Sequence, residues 1–211
     1  KRTKPFVKVV LSGDGADEVF AGYNKHKAEW LMRNNKGFNA LVKIAAPFAN
    51  LFPQSRNSAI GNKARQLSKY SSSMKLDPEE RYWRLASISS EEEVKNLLLK
   101  SDSVAELKKQ YTSGINNDFN SFLLADVNML LPYDMLTKVD MMSMDNGLEV
   151  RNPFLDHRLV EFAFSLPAEL KINGKVQKKI LKESCKDLIP DEILNRPKHG
   201  FEVPIQQWFA N

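Results

Sequence analysis

The chain has 211 residues, with 31 lysines and arginines against 26 aspartates and glutamates, a formal charge of +5. At 42% hydrophobic and 27% charged it has the proportions of a globular protein large enough to bury a core, which excludes collagen-like, disulfide-scaffold and wholly disordered classes. Its one cysteine, Cys185, has no partner for an internal disulfide, so a reducing, cytoplasmic setting is expected.

The longest apolar runs are a few residues, far short of the ~20 that span a bilayer, and no basic-then-apolar leader opens the chain. Neither membrane nor export is therefore expected. The chain lacks an initiator Met and stops within two residues of Trp208-Phe209, so it is expected to be a piece of a longer polypeptide.

In chain order, Phe6–Leu11 is a short β-branched run bounded by Pro5 and by Ser12-Gly13, which predicts a buried strand of the parallel-sheet kind. From Asp17 to about Arg33 the residues Val19, Phe20, Tyr23, Ala28, Trp30 and Leu31 recur at helical spacing. Strand, glycine-rich turn and helix together are the opening of an α/β unit. Phe38 to Phe52 is apolar and interrupted by Pro47, and Asn57 to Met74 is basic and serine-rich, with Ser71–Ser73 as a loop or helix end.

Asp77-Pro78-Glu79-Glu80 starts a helix that carries Tyr82, Trp83 and Leu85. Ser90-Glu91-Glu92-Glu93 starts another, with Val94, Leu97 and Leu98 on its inner face. Asp118 to Leu131 repeats the pattern until Pro132 ends it. Asp156 caps a short helix through Phe164, Lys175 to Leu188 reads as a lysine-rich amphipathic helix ended by Pro190, and Pro190-Asp191-Glu192 opens one more turn. The fold class is mostly α with one or two short strands. A single confident strand is not a sheet, so its partners are expected outside this chain.

Three clusters carry chemistry. In Ser12-Gly13-Asp14-Gly15-Ala16-Asp17-Glu18, two glycines around a carboxylate let the backbone turn tightly and approach a ligand. The helix that follows offers free N–H groups suited to phosphate, and Asp14, Asp17 and Glu18 are hard oxygen donors suited to Mg²⁺. A plain capped turn is the competing reading. In the second cluster Asp134, Lys138, Asp140, Glu149 and Arg151 stand among apolar residues, which predicts a buried ion-pair network. The third, Asn195-Arg-Pro-Lys-His-Gly-Phe201, is a rigid turn presenting cations, fit either to clamp phosphate or to lie in solvent. His26, His157 and His199 each lack a second ligand at zinc spacing.

Taken in order, Val10–Tyr23, Leu131–Asp140, Ser143-Met144, Leu148–His157 and Arg196–Phe201 resemble the synthetase domain of glutamine-hydrolysing asparagine synthetases. The likeness runs from about residue 6 to the end. It implies a derivative of the α/β adenine-nucleotide α-hydrolase-like fold, the PP-loop ATP pyrophosphatases, lacking its N-terminal half, with residues 1–211 as one partial domain. The family makes asparagine from aspartate, ATP and glutamine-derived ammonia through a β-aspartyl-adenylate, a carbon–nitrogen ligase reaction assisted by Mg²⁺. Carried over by motif, Ser12, Gly13 and Gly15 would meet the nucleotide or intermediate, and Asp17 would bind Mg²⁺ with pyrophosphate. Asp14 would accept a proton during ammonia attack, Lys198 would stabilise charge at the activated phosphorus, and Glu149 and Arg151 would orient the site from behind.

The same resemblance implies an N-terminal glutaminase domain in the longer polypeptide and leaves a homodimer open. Three departures stand out. No Ser-Gly-Gly-x-Asp-Ser phosphate loop is present, no N-terminal cysteine nucleophile is present, and Met141 stands where many relatives carry Arg. The chain alone is therefore expected to be inactive. Within the enzymes, a relative activating another carboxylate is the alternative, although β-lactam-forming members typically carry tyrosine at the position of Asp14. Nucleic acid is not an expected partner, because the charge is spread and no recognition motif is legible.

Overall fold

The structure is a computed structural model that describes residues 2–49, 51–52, 58–97, 102–196 and 208–209. Val9–Leu11 forms β1, which pairs in parallel with β2, Glu149–Arg151, in the register Val9↔Glu149, Val10↔Val150 and Leu11↔Arg151. The strand expected from Phe6 is thus shorter at its start, where Phe6 and Val7 donate back to the Thr3 carbonyl in a turn. The expectation that every partner strand lies outside the chain is also corrected, since one comes from residues 140 positions away. The strands are not buried: Leu11 is 73% exposed, and Glu149 and Arg151 face solvent.

The helix expected from Asp17 to Arg33 is two helices, α1 (Ala16–Val19) and α2 (Asn24–Asn34). Ala21 takes a left-handed φ of 59°, which an α-helix does not tolerate, and Tyr23 restarts the chain as N-cap of α2. Helix α3 (Lys36–Ala49) runs two residues past Pro47 and packs on α4 (Ala59–Ser73). It buries the small residues Val42, Ala46 and Ala49 and exposes the large Leu41, Ile44 and Phe48. Ser58 caps α4 by accepting from the Gly61 N–H at 3.0 Å, and Ser71–Ser73 form its last turn, where Ser73 Oγ donates to the Lys69 carbonyl.

Asp77 caps α5 (Pro78–Ala86) as expected, accepting from the Glu80 N–H at 3.0 Å. Ser90 and Glu93 exchange reciprocal backbone–side chain bonds at the start of α6 (Glu91–Leu97). That helix has no inner face, however: none of its residues is buried and Leu97 is 84% exposed, while Leu98 lies outside the described residues. Helix α7 (Asp102–Thr112) follows, then α8 (Phe119–Ala125), capped by Asp118.

Pro132 does not end this helix. From Asp126 to Leu136 the chain widens into a π-helix and then continues as α9 (Thr137–Met144). Proline lacks the N–H for an i−4 bond and crowds the preceding turn of an α-helix. In the wider ring the Pro132 carbonyl is still used, accepting from Thr137 Oγ1 at 2.6 Å.

After β2 come a 3₁₀ turn (Pro153–Leu155), α10 (His157–Ser165, capped by Asp156), α11 (Ala168–Lys171), α12 (Lys179–Ser184) and α13 (Asp191–Leu194). The expected Lys175–Leu188 helix is shortened at both ends. Asn173 Oδ1 accepts from the N–H groups of Lys175 and Val176, closing a turn whose flanks Ile172 and Gln177 bridge, and Lys178 takes a φ of 54°.

Helix α8 organises the interior. Phe119 and Leu123 join Trp30, Ala168 and Ile172 on one side, and Phe122 and Ala125 join Tyr82 and Ile115 on another. A third cluster, Val19, Phe20 and Ala163, anchors α1 against α10. No helix of the described residues is long and apolar enough to cross a membrane.

One buried group sits uneasily in this core. Lys171 is fully buried, with Nζ 2.9 Å from Asn120 Oδ1 and 4.5 Å above the Phe164 ring, and no carboxylate pairs with it among the described residues. Burial lowers its pKa to about 8. The unfolded lysine keeps its proton to about pH 10, so the unfolded chain binds the extra proton between pH 8 and 10. Stability against urea should therefore rise as pH increases from 8 to 10. Lys171→Met should flatten that rise and increase the melting temperature at pH 7; an unchanged slope would contradict the assignment.

Candidate functional site

The glycine turn sits at the C-terminal end of β1, and two of its features are set by the fold. The Ser12 N–H donates to the Arg151 carbonyl at 2.9 Å, extending the strand pairing into the turn. Gly15 has a φ of 89° and caps α1, and a Cβ there would lie 2.2 Å from Leu155 Cδ2. Both left-handed backbone and close packing thus require glycine. Gly13 differs: its φ is not left-handed, and a Cβ would meet nothing within 4 Å. Packing among the described residues gives no reason for that glycine.

Ser12 Oγ donates to Asp14 Oδ2 at 2.5 Å, so the half-buried Asp14 carboxylate is held by the residue that opens the turn. Asp17, in the first turn of α1, receives the Lys178 ammonium at 2.9 Å. Both lie against Gly22, where a Cβ would sit 1.7 Å from Asp17 Oδ1 and 2.4 Å from Lys178 Cε. Gly22 therefore leaves the space in which this pair forms. Neither Lys178 nor Gly22 was singled out by sequence, because Lys178 lies within a lysine run that reads as a solvated helix face.

The 148–157 motif is brought to the same place. Beyond the β1–β2 pairing and the Gly15–Leu155 contact, Phe154 meets Phe20 edge-on at 6.4 Å. Glu149 and Arg151 pair with each other at 2.7 Å on the open strand, with side chains 55% and 65% exposed. Asp134, Lys138 and Asp140 are exposed as well, and Lys138 reaches only Met135 Sδ. The expected buried ion-pair network among these five residues is thus not present. Apolar neighbours in sequence had implied burial, but the fold leaves these charges on the solvent side. Lys198 lies outside the described residues, as does the rest of its turn from Pro197 to Phe201.

A buried network does exist, built on a residue that no motif marked. Asp126, the first residue of the π-helix, is fully buried and takes three donors: Lys25 Nζ at 2.5 Å, Tyr82 OH at 2.5 Å and His26 Nε2 at 2.7 Å. Burial pushes its carboxyl up, but His26 and Lys25 outweigh this and hold it below the ordinary aspartate range. Burial lowers the pKa of His26, and its Nδ1 accepts from the Tyr23 N–H at 3.3 Å, so the ring is neutral with its proton on Nε2. Tyr23 OH in turn donates to the buried Glu18 carboxylate at 2.6 Å. The chain of bonds runs from the π-helix to the helix of the glycine turn. In sequence His26 stands between two lysines, and only its isolation from other metal-ligand residues was legible.

No three His, Cys, Asp or Glu residues gather to hold a metal by themselves among the described residues. A Mg²⁺ here would need ligand phosphate oxygens beside a carboxylate such as Asp17, an ordinary arrangement for that ion.

These elements define a mostly helical protein with a glycine turn at the end of its short parallel strand pair. The family model for asparagine synthase matches residues 1–211, and the chain belongs to that family. It is 34% identical over 218 residues to asparagine synthetase [glutamine-hydrolyzing] 1 of Bacillus subtilis, covering 100% of this chain and 33% of that protein. It is 32% identical to a putative asparagine synthetase of Mycobacterium tuberculosis, covering 99% and 31%. Against the human asparagine synthetase, identity is 44% over 85 residues, covering 36% and 15%. The chain thus spans about a third of the length of the first two relatives. No solved structure matches it.

Removing the Asp126 carboxylate would leave His26 and Tyr82 buried without their acceptor and Lys25 without its counter-charge. Asp126→Ala should cost about 3 kcal/mol or more in urea unfolding, against well under 1 kcal/mol for the exposed Glu149→Ala. Equal effects from the two would contradict the network.

Proposed function

We propose that this chain supplies part of the synthetase site of an ATP-dependent, glutamine-hydrolysing asparagine synthetase, as the C-terminal portion of its PP-loop-type domain. The phosphate loop and an N-terminal glutaminase domain would come from the rest of a longer cytoplasmic polypeptide. Family membership supports this reading. The observation that carries it is Gly13, a glycine with ordinary backbone and open space where its Cβ would lie, at the strand end between Ser12 and Asp14. Close approach of a ligand to that backbone is what such a glycine permits.

In the proposed reaction an aspartate side-chain oxygen bonds to the α-phosphorus of ATP as the bond to pyrophosphate breaks. Ammonia then bonds to the activated carbonyl carbon, and AMP leaves with the electrons of the acyl–phosphate bond. Gly13 and Gly15 hold the nucleotide end through backbone N–H groups ahead of α1, and Ser12, whose own N–H is taken by the Arg151 carbonyl, meets it with its side chain. Asp14, oriented by Ser12 Oγ, takes the proton that the attacking ammonia loses. Lys198 stabilises charge on the phosphorus oxygens. When bound, Mg²⁺ neutralises the departing pyrophosphate. Asp17 would hold that ion on this turn, and the Lys178 ammonium that faces Asp17 would meet the same anion. Glu149 and Arg151 sit beside the turn through the Arg151 carbonyl.

In the full-length polypeptide, Lys198→Ala and Asp17→Ala should lower aspartate-dependent pyrophosphate release by about a hundredfold or more. Asp14→Asn should spare adenylate formation, read as ATP–pyrophosphate exchange, while losing asparagine formation. Wild-type release in both of the first two variants would sink the site assignment, and exchange driven better by another carboxylate than by aspartate would reassign the substrate.

A further inference from the structure

Between Glu29 and Asp77 the chain carries eight lysines and arginines and no acidic residue, so the whole cationic excess of the protein lies in this one stretch. The fold brings part of it to a cleft of 540 Å³ between α2 and α4, edged by Phe38 of α3 and Leu85 of α5. Lys25, Lys27, Lys63, Arg65 and Lys69 line this cleft, and no carboxylate does. Lys25 is neutralised by Asp126 behind the wall. Lys69 Nζ donates to the carbonyls of Leu85 and Ser87 at 3.1 and 2.8 Å, which fix the ammonium in place. Lys27 and Lys63 have neither ion pair nor hydrogen-bond partner among the described residues.

Crowded cations in a concave wall raise each other's potential and concentrate anions. The cleft also has an apolar side, where Phe38 meets Tyr70 edge-on at 5.5 Å beside Leu31 and Leu67. Its volume lies within the usual range for a small-molecule pocket. None of the motifs at the glycine turn contributes to it, although α2 lends Lys27 to the cleft and its N-cap Tyr23 to the turn.

We propose that this cleft binds a phosphorylated small molecule, with its phosphoryl dianion on Lys27, Lys63 and Arg65 and its apolar or aromatic body against Phe38 and Leu67. A dianion matches the several positive charges better than a single carboxylate, and Arg65, whose guanidinium already donates to Asn62 Oδ1 at 3.0 Å, adds its permanent charge to that wall. An extended polyanion would leave the apolar side of the cleft, Phe38 and Leu67, without a partner.

Calorimetric titration of the full-length polypeptide with phenyl phosphate tests this. One saturable site is expected, binding more tightly than inorganic phosphate does, because the ring gains the apolar side. Lys27→Gln with Lys63→Gln should weaken it by about tenfold or more, Lys27→Arg with Lys63→Arg should retain it, and Asp17→Ala at the glycine turn should leave it unchanged. These lysines reach solvent, so melting temperatures should match the wild type. Equal affinity in the glutamine variant would overturn the proposal. So would loss of binding in Asp17→Ala alone, or co-sedimentation with phosphatidylglycerol vesicles in the absence of phenyl phosphate binding.

Discussion

The carboxylate of Asp126 is the constraint on which the arrangement of the helices turns. A buried charge is tolerated only when its lone pairs are filled, and here three donors from two helices fill them. Lys25 and His26 come from α2 and Tyr82 from α5, so satisfying one side chain fixes two helices against the start of the π-helix. The aromatic contacts then follow the same geometry: Phe122 lies edge-on to both His26 and Tyr82, at 6.1 and 5.0 Å. Hydrophobic burial supplies most of the stabilisation, but it is non-directional, whereas the carboxylate accepts only one placement of its donors.

That placement is passed on to the ligand turn. Neutral His26 holds the Tyr23 backbone through Nδ1, and the Tyr23 hydroxyl holds Glu18 in the middle of α1. Glu18 is buried at 1% exposure beside Val19 at 0%, so α1 is locked from within although it has only four residues. A helix this short has no stability of its own. Its partners therefore decide the direction of the turn that precedes it, and Asp14 and Asp17 inherit their positions from that buried chain of bonds.

A second constraint closes the site from the other side. Two short parallel strands seldom stand alone, and both faces of this pair remain partly open to solvent. They hold together because their flanks are tied: Gly15 packs under Leu155, Phe20 against Phe154, and Ser12 bonds to the carbonyl of Arg151. The π-helix contributes here too, since its wider turn carries the chain past Pro132 into α9 and on to β2. The stretch that carries basic residues without acidic ones lies apart from this construction, on α3 and α4 and along the cleft they border.

Local chemistry was legible wherever it acts within a few residues. The caps at Asp77, Ser90, Asp118 and Asp156, the glycine turn after an apolar strand and the mostly helical class follow from the sequence, because each depends on neighbours three or four positions apart. The family motifs were readable in the same way, as order and spacing along the chain. What sequence could not supply was pairing over distance. That β1 has its partner at Glu149–Arg151, that Lys178 finds Asp17, and that Asp126 rather than Asp134 or Asp140 is the buried acid were decided by tertiary structure alone. The reason is physical: a carboxylate and a lysine look the same in sequence whether they end up in solvent or in a core, and only the packing of α2, α5, α8 and the π-helix determines which one loses its water.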